Sequence, residues 1–197
     1  YATASWYRDN AKNDGRARYW YEQVVADGKD PLLTAMALDD LRALATLRGD
    51  TAQAQTWRDR AITAWQPLAT RGDIYAQSRL GELLLQRGQA IDLPQAREWL
   101  EKAAAQGAVD AKVTLGVMYL AGYGVAKDSA KAKEWWEKAA MQGNADAQFR
   151  LGYLYATGEG TAKDLAKARE WLEKSAAQKN QDAIDTLNML LDSDKKL

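Results

Sequence analysis

Apolar residues recur along most of the chain at intervals of three and four positions, the spacing of one face of an α-helix. In residues 132–140, Ala132, Trp135, Trp136, Ala139 and Ala140 stand at i, i+3, i+4, i+7 and i+8 and form one continuous stripe. Charged residues fill the remaining positions of this segment. The pattern predicts an amphipathic helix whose two adjacent indoles pack against a neighbouring helix.

The same stretch occurs three times. "REWLEKAAAQG" (97–107), "KEWWEKAAMQG" (133–143) and "REWLEKSAAQK" (169–179) place Trp99, Trp135 and Trp171 at intervals of 36 residues. We expect these three tryptophans to be largely buried between the helices of their own repeats. The alternative is a stacking platform for a base or a sugar. The position of Trp136 holds plain leucine in the other two copies, which favours packing.

A second string precedes each copy and also has a helical pattern. It reads "AQSRLGELL" (76–84), "AKVTLGVMY" (111–119) and "AQFRLGYLY" (147–155). A glycine inside a helix costs about 1 kcal/mol relative to alanine. Its recurrence at Gly81, Gly116 and Gly152 predicts that another helix backbone approaches there. Each repeat is therefore a helix A, a loop, a helix B and a turn.

Residues that begin and end helices stand at the expected places. Asp92, Asp128 and Asp164 precede helix B and suit N-caps. Gly107 and Gly143 follow helix B, where a left-handed residue commonly ends a helix.

The N-terminal part repeats more faintly. Residues 16–28 match helix B, with Trp20 in the tryptophan position, and residues 36–49 match helix A, with Arg42 in place of the glycine. Residues 51–72 read as a longer helix B that Pro67 should bend or interrupt. Residues 1–14 read as a truncated helix A. We predict one domain over 1–197, with degenerate repeats at 1–72, three clear repeats at 73–180 and a closing helix at 181–192.

The stretch from Ala111 to Gly143 resembles the Sel-1-like repeat, a relative of the tetratricopeptide repeat. The Leu-Gly pair, the G-x-G loop, the tryptophan and "KAA-QG" fall at the family's offsets. Residues 73–192 match well and 1–72 loosely, while the unit at 73–107 lacks the G-x-G. The resemblance implies an all-α, right-handed α-solenoid whose A helices line a concave groove. It also implies a non-catalytic scaffold or adaptor, often secreted or periplasmic in bacteria.

Composition narrows the function further. The chain has 27 basic and 27 acidic residues, which disfavours binding nucleic acid through bulk charge. It has no His and no Cys, so the commonest general base and most metal ligands are missing, and we expect no cofactor and no metal. No apolar run is long enough to span a membrane. Loops such as "GYGVAK" lack the context of a phosphate-binding loop and read as left-handed turns.

Two rows of helix A residues should face the groove, two positions before and two after the leucine of each Leu-Gly pair. The middle repeats offer apolar side chains there, and an apolar patch with a polar rim is typical of a protein interface. The alternative for Phe149 is that it only shields the neighbouring helix. The predicted partner-binding residues are Phe149, Tyr153, Val113, Val117, Leu120, Arg150, Glu82 and Ser78.

The predicted function is therefore a module that binds one protein partner in its groove, with no small-molecule substrate. Sel-1-like repeat proteins occur as periplasmic immunity proteins, so one partner is an effector toxin such as a lipase. Another is a subunit of an envelope complex. A hydrolase acting on peptidoglycan through carboxylates such as Asp39 and Asp40 is the alternative from a different class. The resemblance implies a periplasmic or secreted location, with a cytoplasmic one as the alternative. The chain begins at Tyr1 rather than Met, as either a mature product after removal of a signal peptide or a trimmed sequence would.

Overall fold

The computed structural model describes Ala2 and residues 13–194. For residues 191–194 it describes the backbone alone. The described residues form helices and no strand. The prediction of an all-α repeat fold is therefore confirmed. The predicted truncated helix over residues 1–14 falls almost wholly outside them. The helices are α1 (Asp14–Asp27), α2 (Pro31–Leu47), α3 (Thr51–Thr70), α4 (Ile74–Arg87), α5 (Leu93–Ala105), α6 (Val109–Ala121), α7 (Ser129–Ala140), α8 (Ala145–Thr157), α9 (Leu165–Ala177) and α10 (Gln181–Asp194).

The chain divides into two compact units, Tyr1–Trp99 and Leu100–Leu197, and the boundary between them falls within α5. In the second unit each helix packs on the next, from α6 through α10, and α10 also contacts α8. The core of that unit centres on Trp136, Leu151 and Leu154, together with small alanines of α7 and α8. Successive packing of short helices along the chain is the architecture of a helical repeat protein. The single-domain organisation stays a prediction.

In the first unit, α1 packs on α2, α2 on α3 and α3 on α4. Its core contains Tyr21, Leu41 and Leu44, with Trp57 packed against them. The long helix B predicted here is α3, which has 20 residues. It continues through Pro67 to Thr70, so the predicted interruption is wrong. Pro67 removes one backbone hydrogen bond, the one that an N–H at this position would donate to the carbonyl of Thr63, and the helix ends three residues later.

Short polar side chains start the helices as the sequence suggests. Asp128 accepts a hydrogen bond from the backbone N–H of Lys131 at 2.9 Å, and Asp164 accepts one from Lys167 at 3.0 Å. The bond from the Lys167 N–H also lowers the pKa of Asp164. The carboxylate of Asp92 accepts hydrogen bonds from the guanidinium of Arg87, at 2.6 and 2.5 Å, and its role as an N-cap stays a prediction.

The glycines inside helix A mark close packing. A side chain of helix B makes the nearest approach, and at Gly152 the backbone oxygen of Ala168 would also lie 3.1 Å from a Cβ. A Cβ on Gly116 would lie 2.2 Å from Nε1 of Trp136, and a Cβ on Gly152 would lie 2.5 Å from Cγ of Leu172. Trp136 and Leu172 occupy the same repeat position on helix B. In these two helix pairs, one large side chain of helix B therefore fits onto a glycine of helix A.

The repeated tryptophans are less completely buried than the residues that follow them. Trp99, Trp135 and Trp171 are mostly buried, as predicted, but each keeps part of its surface exposed. The neighbouring Leu100, Trp136 and Leu172 are at most 1% exposed. On a helix of 3.6 residues per turn, positions i+3 and i+4 flank the centre of the stripe, and one of them must lie at its edge. Trp135 and Trp171 are the edge residues, and Lys138 and Lys174 lie 4.4 Å above their rings.

This difference predicts unequal effects of two adjacent substitutions. Trp136→Ala should lower the free energy of unfolding by ~3–5 kcal/mol, as emptying a core position does. Trp135→Ala should cost only about 1–2 kcal/mol, because part of its side chain already faces solvent. Urea denaturation of both variants measures the two losses. Equal losses, or a larger loss for Trp135→Ala, would contradict the assignment of Trp136 to the core.

The turns after helix B adopt left-handed backbone geometry. Gly107 and Gly143 have φ of +105° and +88°, as the sequence predicts. Lys179 holds the equivalent position in the third clear repeat, with φ of +65°. It is the one non-glycine residue with positive φ in the part of the chain that the structure describes. A residue with a Cβ is strained in this conformation.

We therefore expect Lys179→Gly to stabilise the protein by about 0.5–1 kcal/mol, because removal of the strain outweighs the greater entropy of glycine in the unfolded chain. Thermal unfolding measures the gain. Lys179→Ala is the matched control, since it removes the lysine side chain and keeps the Cβ. A gain of the same size with alanine would show that the charge or length of lysine, rather than backbone strain, was responsible.

Candidate partner-binding surface

A cavity of about 210 Å³ opens on the second unit, between helices α6, α7 and α8. Four of the predicted partner-binding residues meet there, namely Leu120, Phe149, Arg150 and Tyr153. Trp136 and Leu154 complete its lining. We call this site the aromatic cavity. Most of its wall is apolar, and it lies beside the core that Trp136 and Leu154 help to form.

Helix α8 supplies the two aromatic walls. Phe149 and Tyr153 are four residues apart and so lie on one face of the helix, with their ring centroids 6.5 Å apart and the rings tilted by 48°. Leu151 and Leu154 of the same helix are fully buried in the core. Tyr153 is 48% exposed, and Phe149 is half-buried. The helix is thus anchored by its leucines and presents the two rings at the surface.

Trp136 and Arg150 position the remaining walls. The indole N–H of Trp136 donates to the carbonyl of Val113 at 3.0 Å, which holds the ring between α6 and α8. The guanidinium of Arg150 lies 5.4 Å from that ring, and its Nε donates to Asp146 at 2.9 Å. A cation over an indole face is attracted by the ring electrons. The arrangement sets one positive charge at the edge of an apolar cavity.

Val113 and Val117 have a supporting role in the structure. Both are half-buried and pack against the core of the second unit, and neither lines the aromatic cavity. Their side chains hold α6 against α7, and the carbonyl of Val113 orients Trp136.

Ser78 and Glu82 lie on α4 of the first unit. Ser78 is 7% exposed and so offers little surface to a partner. Glu82 accepts a hydrogen bond of 2.6 Å from Arg79. These two residues therefore belong to the structure of the first unit rather than to an apolar surface.

The ion pair of Glu82 extends into a polar network that the sequence did not reveal. Arg79 also donates to Asp39 at 3.1 Å, and Asp39 accepts a second bond of 2.9 Å from the indole N–H of Trp65. Burial opposes the charge of Arg79, but the carboxylates of Asp39 and Glu82 outweigh it and raise the pKa of Arg79. For Tyr75, whose ring packs edge-on against Trp65, burial disfavours the charged phenolate and so raises the pKa. The carboxylate of Asp39 thus links three helices and is committed to structure.

The structure also bears on metal binding, on membrane crossing and on the G-x-G loops. Among the described residues, no cluster of three or more His, Cys, Asp or Glu has the arrangement of a metal site. Within the same residues, no helix combines the length and the apolarity that crossing a membrane requires. In the G-x-G loops, Gly122, Gly124, Gly158 and Gly160 all have positive φ, which confirms the interpretation as left-handed turns. The loops close where Asp128 N–H donates to Tyr119 and Asp164 N–H to Tyr155.

The repeat pattern matches the model of a known family. Residues 11–25, 74–107, 110–144 and 145–180 match the Sel1 repeat, and together they make up more than half of the chain. The chain belongs to the Sel1 repeat family. A Sel1 repeat fold is generally a protein–protein interaction module, and the helices that carry the aromatic cavity lie within two of the matched repeats.

Solved structures support the same assignment. A Sel1 repeat protein from Oxalobacter formigenes is 40% identical over 66% of this chain and 98% of its own, with a TM-score of 0.57. The protein c5321, described as a protective antigen of uropathogenic Escherichia coli with an SLR fold, is 31% identical, with a TM-score of 0.60. The match covers 96% of this Sel1 repeat chain and 42% of c5321. No curated protein matches the chain.

The polar network of the first unit generates a stability prediction. Asp39→Ala should lower the free energy of unfolding by about 1–3 kcal/mol, because it leaves the buried N–H of Trp65 and one side of Arg79 without an acceptor. Chemical denaturation measures the loss. Asp59→Ala is the control, since that side chain is 56% exposed and its contact with Arg87 is a long 3.8 Å. Its effect should be near zero, and a comparable loss for both variants would argue against a structural role specific to Asp39.

Proposed function

We propose that this Sel1 repeat protein is a non-catalytic binding module that holds one protein partner on the surface formed by α6 and α8. The aromatic cavity is the observation that carries the proposal. An apolar cavity with a polar rim is characteristic of a surface at which two proteins meet. Tyr153, at 48% exposed, is anchored there without contributing a buried side chain to the core.

The dimensions of the aromatic cavity favour a particular mode of binding. A cavity of about 210 Å³ suits one large apolar side chain of the partner, packed against the rings of Phe149 and Tyr153. Tyrosine and tryptophan are enriched among the few residues that carry most of the binding energy at interfaces. Arg150 at the rim would then favour an acidic residue beside the inserted side chain, which adds specificity to apolar contact.

We further propose that the partner is a protein of the bacterial envelope. Two of the similar proteins come from bacteria, and the Escherichia coli one is described as a protective antigen, which fits a protein outside the cytoplasm. Within this location we propose two partner classes. One is a secreted antibacterial effector such as a lipase, which the module would neutralise as an immunity protein. The other is a subunit of a secretion or signalling complex, which it would scaffold.

Affinity capture from the native envelope tests the binding surface. Wild type should retain a protein that Phe149→Ala and Tyr153→Ala lose, with affinity for it weakened at least about tenfold, or ~1.4 kcal/mol. Melting temperature should change little for Tyr153→Ala, because that side chain is half exposed. Tyr123→Ala is the matched control, since Tyr123 is another tyrosine of the second unit with 49% exposure and lies outside the cavity.

The outcomes separate the alternatives. Unchanged affinity in both α8 variants would move the binding surface away from the aromatic cavity. Equal loss with Tyr123→Ala would indicate a general effect of removing exposed rings. A large drop in melting temperature for Phe149→Ala would support the alternative that this ring shields the neighbouring helix. Two further assays distinguish the immunity role from the scaffold role. Neutralisation of a toxin on co-expression supports the immunity role, and loss of complex assembly on deletion of the protein supports the scaffold role.

A further inference from the structure

A second cleft lies on the first unit, where α2, the start of α3 and the end of α4 meet. Its volume is about 190 Å³. It is lined by Arg42, Thr46, Thr51, Ala54, Gln55, Arg58 and Gln86. Two of these residues are basic, and none of these described residues is acidic. We call this site the arginine cleft. In a chain of zero formal net charge, it is a local concentration of positive charge.

The arginine cleft occurs where this repeat departs from its neighbours. In the second unit, Gly116 receives the side chain of Trp136, so tightly that a Cβ would not fit. In the first unit, Arg42 stands in the place of that glycine, directly after the buried Leu41. Arg58 directly follows Trp57, as Trp136 follows Trp135. Both members of the contact are therefore arginine in this repeat, and both line the cleft.

Each of the two arginines has a buried Nε–H. Neither the Nε–H of Arg42 nor that of Arg58 has a hydrogen-bond acceptor among the described residues, although both nitrogens are buried. A guanidinium cannot lose its proton in a protein, so the donors persist at every working pH. A buried donor without an acceptor is unfavourable, and more so when it carries charge.

Neighbouring carboxylates do not fill this role. Asp39 Oδ1 is 3.8 Å from Nε of Arg42, which is beyond hydrogen-bond distance. The other oxygen of Asp39 is already shared by Trp65 and Arg79. Arg58 is held in place by a bond of 3.2 Å from its Nη1 to the carbonyl of Gln86. Arg42 thus has one long ion pair, with the Asp39 Oδ1 that is itself buried without a hydrogen-bond partner, and Arg58 is positioned by the carbonyl of Gln86.

We propose that the arginine cleft binds an oxyanion, either a carboxylate of a protein partner or a free phosphate. Planar guanidinium groups bind carboxylate and phosphate oxygens through charge-assisted hydrogen bonds, often two at a time. The cleft volume is several times the ~30 Å³ that a water molecule occupies, so a small anionic group fits. The proposal concerns the first unit and does not depend on the aromatic cavity.

Titration followed by the arginine Nε–Hε resonances in nuclear magnetic resonance tests the proposal directly. One arm uses inorganic phosphate, and a second uses a capped peptide with one internal glutamate; the same peptide with glutamine is its control. Ionic strength is held constant with chloride. The resonances of Arg42 and Arg58 should shift and saturate. That of Arg71, just beyond the other end of α3, should not.

Substitutions complete the test. Arg42→Gln and Arg58→Gln should each weaken anion binding at least tenfold, while Arg71→Gln should leave it unchanged. Circular dichroism of each variant confirms that it folds. If Arg42→Gln or Arg58→Gln unfolds, the wild-type titration still tests anion binding, because it follows the Nε–Hε resonances of both arginines without any substitution.

The two arms distinguish the source of the anion. Saturation with phosphate alone supports a site for a free oxyanion, and saturation with the glutamate peptide but not the glutamine peptide supports a partner's carboxylate. Shifts that stay linear in both arms, or that Arg71 shows equally, overturn the proposal. Unchanged binding in Arg42→Gln and Arg58→Gln overturns it as well.

Discussion

The fit of one large helix B side chain onto one helix A glycine sets the spacing of the helix pairs in the second unit. Trp136 meets Gly116 and Leu172 meets Gly152 at distances that leave no room for a methyl group. The glycines lower helix propensity, and the close approach that they permit restores stability through contact of buried surfaces. The same fit places α6 and α8 where the aromatic cavity opens between them, because Trp136 is at once the packed side chain and one wall of the cavity.

The surface of α8 follows from this anchoring. Its leucines are buried, which leaves Phe149 and Tyr153 on a face that packing does not consume. A repeat fold can vary such positions freely, since they contribute little to the core, and it can therefore acquire binding specificity without loss of structure. Arg150, held by Asp146 and the indole of Trp136, adds a fixed charge to an otherwise apolar site.

In the first unit, helix A and helix B pack through different side chains. Arg42 and Arg58 replace the glycine and the large side chain, and Trp65 moves into the core further along a longer α3. Asp39 then receives the indole N–H of Trp65 and the guanidinium of Arg79, so polar contacts replace part of the close apolar fit. A departure from the local rule of a repeat, with donors left unsatisfied, is more often found at a functional site than in a purely structural one.

The sequence by itself determined the helical repeats, their register, the left-handed turns at Gly107 and Gly143 and the N-caps at Asp128 and Asp164, because these depend on local periodicity and backbone preference. It also predicted four residues of the aromatic cavity, since their register on helix A is a local property. Only the tertiary structure decided which of two adjacent tryptophans is buried, because positions i+3 and i+4 both belong to the apolar stripe and the neighbouring helix selects between them. It also decided that Ser78 is buried and that Arg42 and Arg58 share a cleft, since residues distant in sequence come together only through packing.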